Sequence, residues 1–154
     1  MRFTHCFAAA AVAVAVCVAA PAFAQERGTK DEAKAMVDAA LDHMKKVGAE
    51  KALKDFTFDK TAWSRKDLYV MVYDSKGVAL AHGANEKIVG KDMSGVKDGN
   101  GKLIVPGLIE VAKKGGGWYD YDWPDPITKK LMPKTTYAKV QPNGEGFVGV
   151  GVYR

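Results

Sequence analysis

Apolar positions along this chain change period three times. Phe7–Ala20 is an almost unbroken apolar run. Beyond it, Ala33, Val37, Ala40, Leu41, Met44 and Val47 recur every three or four residues, with Lys34, Asp38, Asp42, Lys45 and Lys46 on the other flank. That spacing predicts an amphipathic helix of about five turns. Thr29 and Glu32 have capping-box spacing and mark its start, and Gly48 marks its stop. Ala49–Phe56 predicts a second, short helix. Leu68–Tyr73 is β-branched and aromatic, apolar on both faces, as a central strand requires. Asp74–Gly77 reads as a turn, Val78–His82 as the returning strand, and Asn85–Gly101 as irregular with room for one helical turn. Leu103–Lys114 regains helical spacing, with Pro106 tolerable only near its start, and Gly115-Gly116-Gly117 ends it. Trp118–Trp123, Pro133–Val140 and Gly146–Tyr153 predict three further strands, with Asn143-Gly144 as a hairpin signal between the last two. The order α-α-β-β-α-β-β-β lacks the alternation of a doubly wound parallel sheet. It predicts an α+β fold: an antiparallel sheet of about five strands with the long N-terminal helix on one face.

The first apolar run has a separate meaning. Arg2 precedes it, and Ala22-Phe23-Ala24 follows as a small-x-small cleavage site before Gln25. Residues 1–24 therefore read as a secretory signal peptide cleaved after Ala24, and residues 25–154 as one exported domain. No later stretch approaches the roughly 20 apolar residues of a membrane helix, so the expectation is a periplasmic protein without its own anchor. Cys17 suggests a lipid anchor only weakly, because Val16 stands where a small residue is wanted. Both cysteines, Cys6 and Cys17, lie in the leader, which excludes disulfides, c-type haem and thiol chemistry from residues 25–154. The chain carries 23 Lys and Arg against 18 Asp and Glu, a net charge of +5 from which the leader removes Arg2. These charges are interspersed, whereas a nucleic-acid binder would show a clustered basic face.

Catalytic signatures are absent. Residues 25–154 hold only Ser64, Ser75 and Ser94 and no Gly-x-Ser-x-Gly. Gly99-Asn100-Gly101-Lys102 lacks the spacing of a phosphate loop. His43 and His82 are the only imidazoles available to a metal, too few for a zinc site. Asp120 and Asp122 open a calcium-loop pattern that fails at Asp125, where glycine is required. The expectation is a non-enzyme with no metal and no cofactor.

A motif series then runs through the second half. It comprises Asp67–Asp74, Gly77, Leu80-Ala81-His82 and Gly90-Lys91-Asp92. It continues with Lys114-Gly115-Gly116-Gly117-Trp118, Tyr121-Asp122-Trp123-Pro124, Pro133–Tyr137 and Val148–Tyr153. With the helical Met36–Phe56 segment (Gly48, Ala52, Leu53) before it, this series resembles a single Cache domain over nearly all of residues 25–154. The resemblance implies a PAS-like extracytoplasmic sensor fold. A long N-terminal helix would lie behind a curved antiparallel sheet, with a small-molecule pocket, often for a short organic acid, on the other face. It also implies a stand-alone secreted form, since no membrane helix or signalling module follows Tyr153-Arg154, and a homodimer through the N-terminal helix.

A carboxylate removed from water needs a cation or several donors. Lys134, among Pro133, Thr135 and Tyr137 at the head of a predicted strand, can point its ammonium inward; most lysines lie at the surface instead, and the resemblance weighs for the pocket. His82 ends the second strand. By residue type a capped or solvent-facing histidine is the commoner role, and the resemblance again favours the pocket. Tyr69, Met71 and Tyr73 share one face of the first strand and suit either a pocket floor, through their phenols, or plain core. In the aromatic segment, alternation sets Trp118 with Asp120 against Tyr119, Tyr121 and Trp123, without saying which set faces a cavity. Trp63 suits a lid or a core position. The candidate ligand contacts are Lys134, His82, Tyr69, Met71, Tyr73, Trp118, Tyr121 and Tyr137.

The expected function is binding or sensing of a small organic acid by an extracytoplasmic domain. The alternative is a periplasmic interaction protein that docks on a membrane sensor or transporter and has no working pocket. Nucleic acid is not an expected partner.

Overall fold

Helix α1 (Lys30–Val47) begins where the local chemistry dictates. The Thr29 hydroxyl accepts the Glu32 N–H at 3.2 Å, and the Glu32 carboxylate accepts the Thr29 N–H at 2.9 Å. This reciprocal cap satisfies two orphan donors. Gly48, at φ +84°, ends the helix in a conformation that other residues adopt rarely. The computed structural model describes residues 26–154; the signal peptide read at residues 1–24, with both cysteines, lies outside the described residues. Two further helices, α2 (Ala49–Phe58) and the single turn α3 (Lys60–Trp63), lead into the sheet.

The strands are β1 (Ser64–Arg65), β2 (Leu68–Tyr73), β3 (Ala79–His82), β4 (Gly117–Pro124), β5 (Leu131–Lys139) and β6 (Phe147–Tyr153). They run β3-β2-β6-β5-β4, antiparallel throughout, and the two-residue β1 forms a hairpin with the start of β2. β1 makes the sheet six-stranded, one more than the sequence pattern predicts. Helix α4 (Ile104–Lys113) packs on the face opposite α1, with Pro106 in its first turn as expected. Residues 83–103 carry one 3-10 turn, Glu86–Ile88.

Strand alternation divides the interior in two. Leu68, Val70, Val72, Val148, Val150 and Val152 face α1 and α2 in one core. Tyr69, Met71, Tyr73 and Phe147 face α4 in the other. On that second face β6 presents Gly149 and Gly151 where valines stand on the first, and the missing side chains leave the sheet hollow there. Both sheet edges are blunted. The Lys102 ammonium bonds the Asp120 carbonyl and the Asp98 carboxylate accepts the Asp122 N–H on β4. Residues 90 and 91 bond both sides of Ala79 on β3. Such covering removes the open ladder that invites strand addition.

Asn143-Gly144 lies between β5 and β6, but in a seven-residue connection, residues 140–146, rather than a two-residue turn. Gly146, at φ +62°, closes this loop, and a Cβ there would stand 2.0 Å from the Tyr73 carbonyl oxygen. Gly146→Ala is expected to lower unfolding free energy by about 2–4 kcal/mol, since both backbone strain and a backbone clash oppose it. Urea denaturation measures this directly.

Candidate functional site

Register brings the chemistry together. On β5, Lys134 lies opposite Tyr121 of β4 and Tyr153 of β6. Alternation sends its side chain to the α4 face, where it is fully buried, with 0% exposure. The glycine stripe makes this possible: a Cβ on Gly151 would meet Lys134 Cε at 2.2 Å. The Lys134 ammonium donates to the Tyr69 hydroxyl at 2.6 Å and lies over the rings of Tyr69 and Tyr153, 4.3 and 4.9 Å from their centroids. Tyr69 and Tyr153 hydroxyls are 3.4 Å apart, and Tyr153 donates to the Pro124 carbonyl at 2.9 Å. A carbonyl only accepts, so the chain has one direction: Lys134 gives to Tyr69, Tyr69 to Tyr153 and Tyr153 to Pro124.

The ammonium has no ion-pair partner among the described residues. The nearest buried carboxylates are held elsewhere. Arg27 makes a two-pronged contact with Asp125 at 3.0 and 2.8 Å and reaches Asp67 at 3.2 Å. Asp67 also accepts the Gly28 N–H at 2.6 Å, and Asp125 accepts from Ile127 and Thr128. Arg27 and these donors hold the Asp125 carboxyl well below the usual carboxylate range. Burial pushes Lys134 down to about 7, opposed by the fields of Asp67 and Asp125.

In front of Lys134 lies a hollow lined by Met71, Tyr73, His82, Met93, Val96, Ile104, Val105, Leu108, Tyr121 and Trp123. It is mostly apolar and nearly filled, with about 10 Å³ open to the centre of a water molecule. That is room for one water. His82 accepts the Asn85 N–H on Nδ1 at 3.0 Å, which assigns its proton to Nε2. Burial, reinforced by Lys134, pushes His82 down to about 3. At neutral pH it is an uncharged donor. Burial likewise raises Tyr121, whose hydroxyl is 2.8 Å from the Thr136 hydroxyl, and Tyr73, stacked on Phe147. All these phenols are therefore neutral.

Of the sequence candidates, Lys134, His82, Met71, Tyr73 and Tyr121 line this hollow. Tyr69 sits behind it, bonded to Lys134 and 4.9 Å from the His82 ring. Trp118 and Tyr137 are corrected: they pair across β4 and β5 on the other face, with rings 5.2 Å apart. There they pack on the α1 core under the ammonium groups of Lys30 and Lys34. The period of two requires this, because Trp118 is three residues from Tyr121 on β4 and Tyr137 three from Lys134 on β5. Trp63 is half-buried and packs on Phe56 and His43 at the margin of the α1 core. Sequence reasoning missed the apolar wall from α4 and residues 93–96, and the buried Asp67 and Asp125 with the half-buried Arg27 that pairs with them. The Gly149/Gly151 alternation was the available signal for which face is hollow.

A long helix behind an antiparallel sheet, with a side-chain-lined hollow on the far face, defines a PAS-like sensor domain. The family model "Single Cache domain 2" matches residues 10–154, and the chain belongs to that family. Members serve as extracytoplasmic sensor domains of chemoreceptors and histidine kinases and bind small ligands. The sensor histidine kinase MctS of Rhizobium johnstonii is 32% identical over 88 residues, 57% of this chain but only 19% of that protein. A methyl-accepting chemotaxis protein of Vibrio parahaemolyticus has 26% identity and a TM-score of 0.71 over 80% of this chain and 87% of that one. A Cache chemosensory domain, solved for the basis of its carboxylic acid recognition, has 27% identity and a TM-score of 0.65 over 80% of this chain and 91% of that one. Among the described residues no helix is long and apolar enough to cross a membrane.

Lys134 sets a pH dependence of stability. Its folded value, about 7, lies below the ordinary 10.5. Between those values the unfolded chain binds the extra proton, so this group's contribution to stability rises with pH across that window and is at its worst below it. Lys134→Met is expected to be more stable than the parent at pH 6, by about 1–4 kcal/mol. That gain should shrink as pH rises toward 10, which urea titrations at several pH values measure.

Proposed function

We propose that this chain is a periplasmic sensor domain that binds a short organic acid through Lys134. The carrying observation is a fully buried ammonium with no carboxylate partner, facing an apolar hollow. Such a group gains more from an incoming anion than an exposed lysine does, because neither partner is screened by water. His82 Nε2–H supplies a second, neutral donor, and the methionine and aliphatic wall suits a short alkyl chain. One cation and no second charged group on the wall favour a monocarboxylate over a dicarboxylate. The relative described for carboxylic acid recognition shares this fold and supports the ligand class.

Entry requires the hollow to widen. Met71 and Met93 are unbranched and rotamer-rich, and Met93 and Val96 belong to the irregular segment 83–103, so these are the side chains that move. The ligand is reached from outside the cytoplasm if the leader read at residues 1–24 directs export.

A second reading draws on the near-filled state of the hollow: a domain whose partner, not its ligand, carries function. Its docking face would be the groove between α1 and α3, about 630 Å³, lined by Ala35, Met36, Ala39, Ala62 and Trp63.

Calorimetry at pH 6 against acetate, propionate, butyrate, lactate and succinate separates the two. Saturable binding of at least one monocarboxylate is expected, with Lys134→Met weakening it by at least about 2 kcal/mol, roughly 30-fold. Silence from every carboxylate, together with stoichiometric capture of an envelope protein, would replace the first reading with the second.

A further inference from the structure

We infer that the hollow takes up its anion together with a proton, so that it responds to the undissociated acid, anion and proton jointly, rather than to the anion alone. This rests on the carboxylate reading above and adds a regulation of the same site.

Every ionisable or charged group that faces Lys134 can be named. From β2 come Tyr69 and Tyr73, from β3 His82, from β4 Tyr121 and from β6 Tyr153, all neutral near pH 7. From the turn before β2 comes Asp67 and from the turn after β4 Asp125, both ion-paired with Arg27 of the N-terminal segment. Helix α4 and residues 93–96 contribute only Met93, Val96, Ile104, Val105 and Leu108 to the wall. The Lys134 ammonium is thus stabilised by one phenol oxygen, two ring faces and two carboxylates already committed elsewhere. Wholly desolvated, it holds its last proton weakly, and its value of about 7 expresses that balance.

A carboxylate entering the hollow changes the inventory by one negative charge at contact distance. Opposite charge at that distance raises an amine's affinity for its proton by several orders of magnitude in a dry site. The neutral amine takes a proton from solvent, and an ammonium–carboxylate pair forms with no net charge added to the interior. Nothing covalent occurs: one N–H bond forms on Nζ, and buffer supplies the proton. The opposite order, an anion beside a neutral amine, would bury an unpaired carboxylate at prohibitive cost.

The consequence is a thermodynamic linkage. Below pH 7 Lys134 is already charged and affinity is flat. Above it, each ligand must bring its proton, so the apparent Kd for propionate should weaken about tenfold from pH 6 to 8 and about tenfold again by pH 9. Calorimetry of propionate at pH 8 in phosphate and in Tris, buffers of unlike ionisation enthalpy, reads proton uptake directly. About 0.9 proton per propionate is expected at pH 8 and about 0.1 at pH 6. Equal heats in the two buffers at pH 8, with a flat Kd, would overturn the linkage while leaving carboxylate binding intact. Failure of every carboxylate at pH 6, where the lysine is charged, overturns the ligand reading itself. A ligand-free check stands apart from both. The Cε resonance of Lys134, assigned by its loss in Lys134→Met, should titrate near pH 7 by NMR; a midpoint at 10 or above refutes the inference.

Discussion

An amine buried without a counter-ion is the constraint around which this domain is built. Taking an ammonium out of water costs several kcal/mol even after relaxation. Lys134 receives only partial compensation: a phenol oxygen at 2.6 Å, two aromatic faces and the distant field of two carboxylates. Cation–π contacts contribute roughly 0.5–2 kcal/mol each, and neither they nor the phenol replaces a full ion pair. A site with this imbalance is poorly adapted to stability and well adapted to an anion.

The fold supports that imbalance at three levels. Gly149 and Gly151 strip β6 bare on one face, so the Lys134 stem can cross it. The one-way chain of hydroxyls through Tyr69 and Tyr153 to the Pro124 carbonyl fixes where the ammonium sits. Behind Tyr153, Arg27 ties the lead-in to α1 to the turns that precede β2 and follow β4. The start of the long helix and the rear wall of the hollow therefore share one partly buried ion-pair cluster. The other face of the sheet is an ordinary valine core against α1. The second face has its own apolar core against α4, and it is there that the unpaired charge lies.

Much of this was legible in the chain. The capping box at Thr29 and Glu32, the apolar heptad-like spacing of α1 and the double-sided apolar run of β2 each rest on local chemistry, and each element formed as the pattern predicts. β1 escaped notice because two residues carry no period. Lys134 and His82 reach the hollow, while Trp118 and Tyr137 do not. Composition alone cannot separate these, since aromatic residues serve both faces; strand alternation sets Trp118 against Tyr121 and Tyr137 against Lys134, and only the folded sheet shows which set faces the hollow. The apolar wall from α4 and the Arg27–Asp67–Asp125 cluster involve residues 27 to 125, whose proximity no local pattern encodes. The closed state of the hollow was also invisible to sequence, being a property of side-chain volumes rather than residue types.

The central claim is that an acid anion comes to rest on the buried Lys134 amine. A crystal structure grown with propionate tests it most directly. The account predicts a carboxylate oxygen within about 3 Å of Lys134 Nζ, the alkyl end against the α4 wall and Met93 displaced from its present position. Propionate bound away from Lys134, or a hollow that stays filled by its own side chains while the lysine turns to solvent, would contradict it.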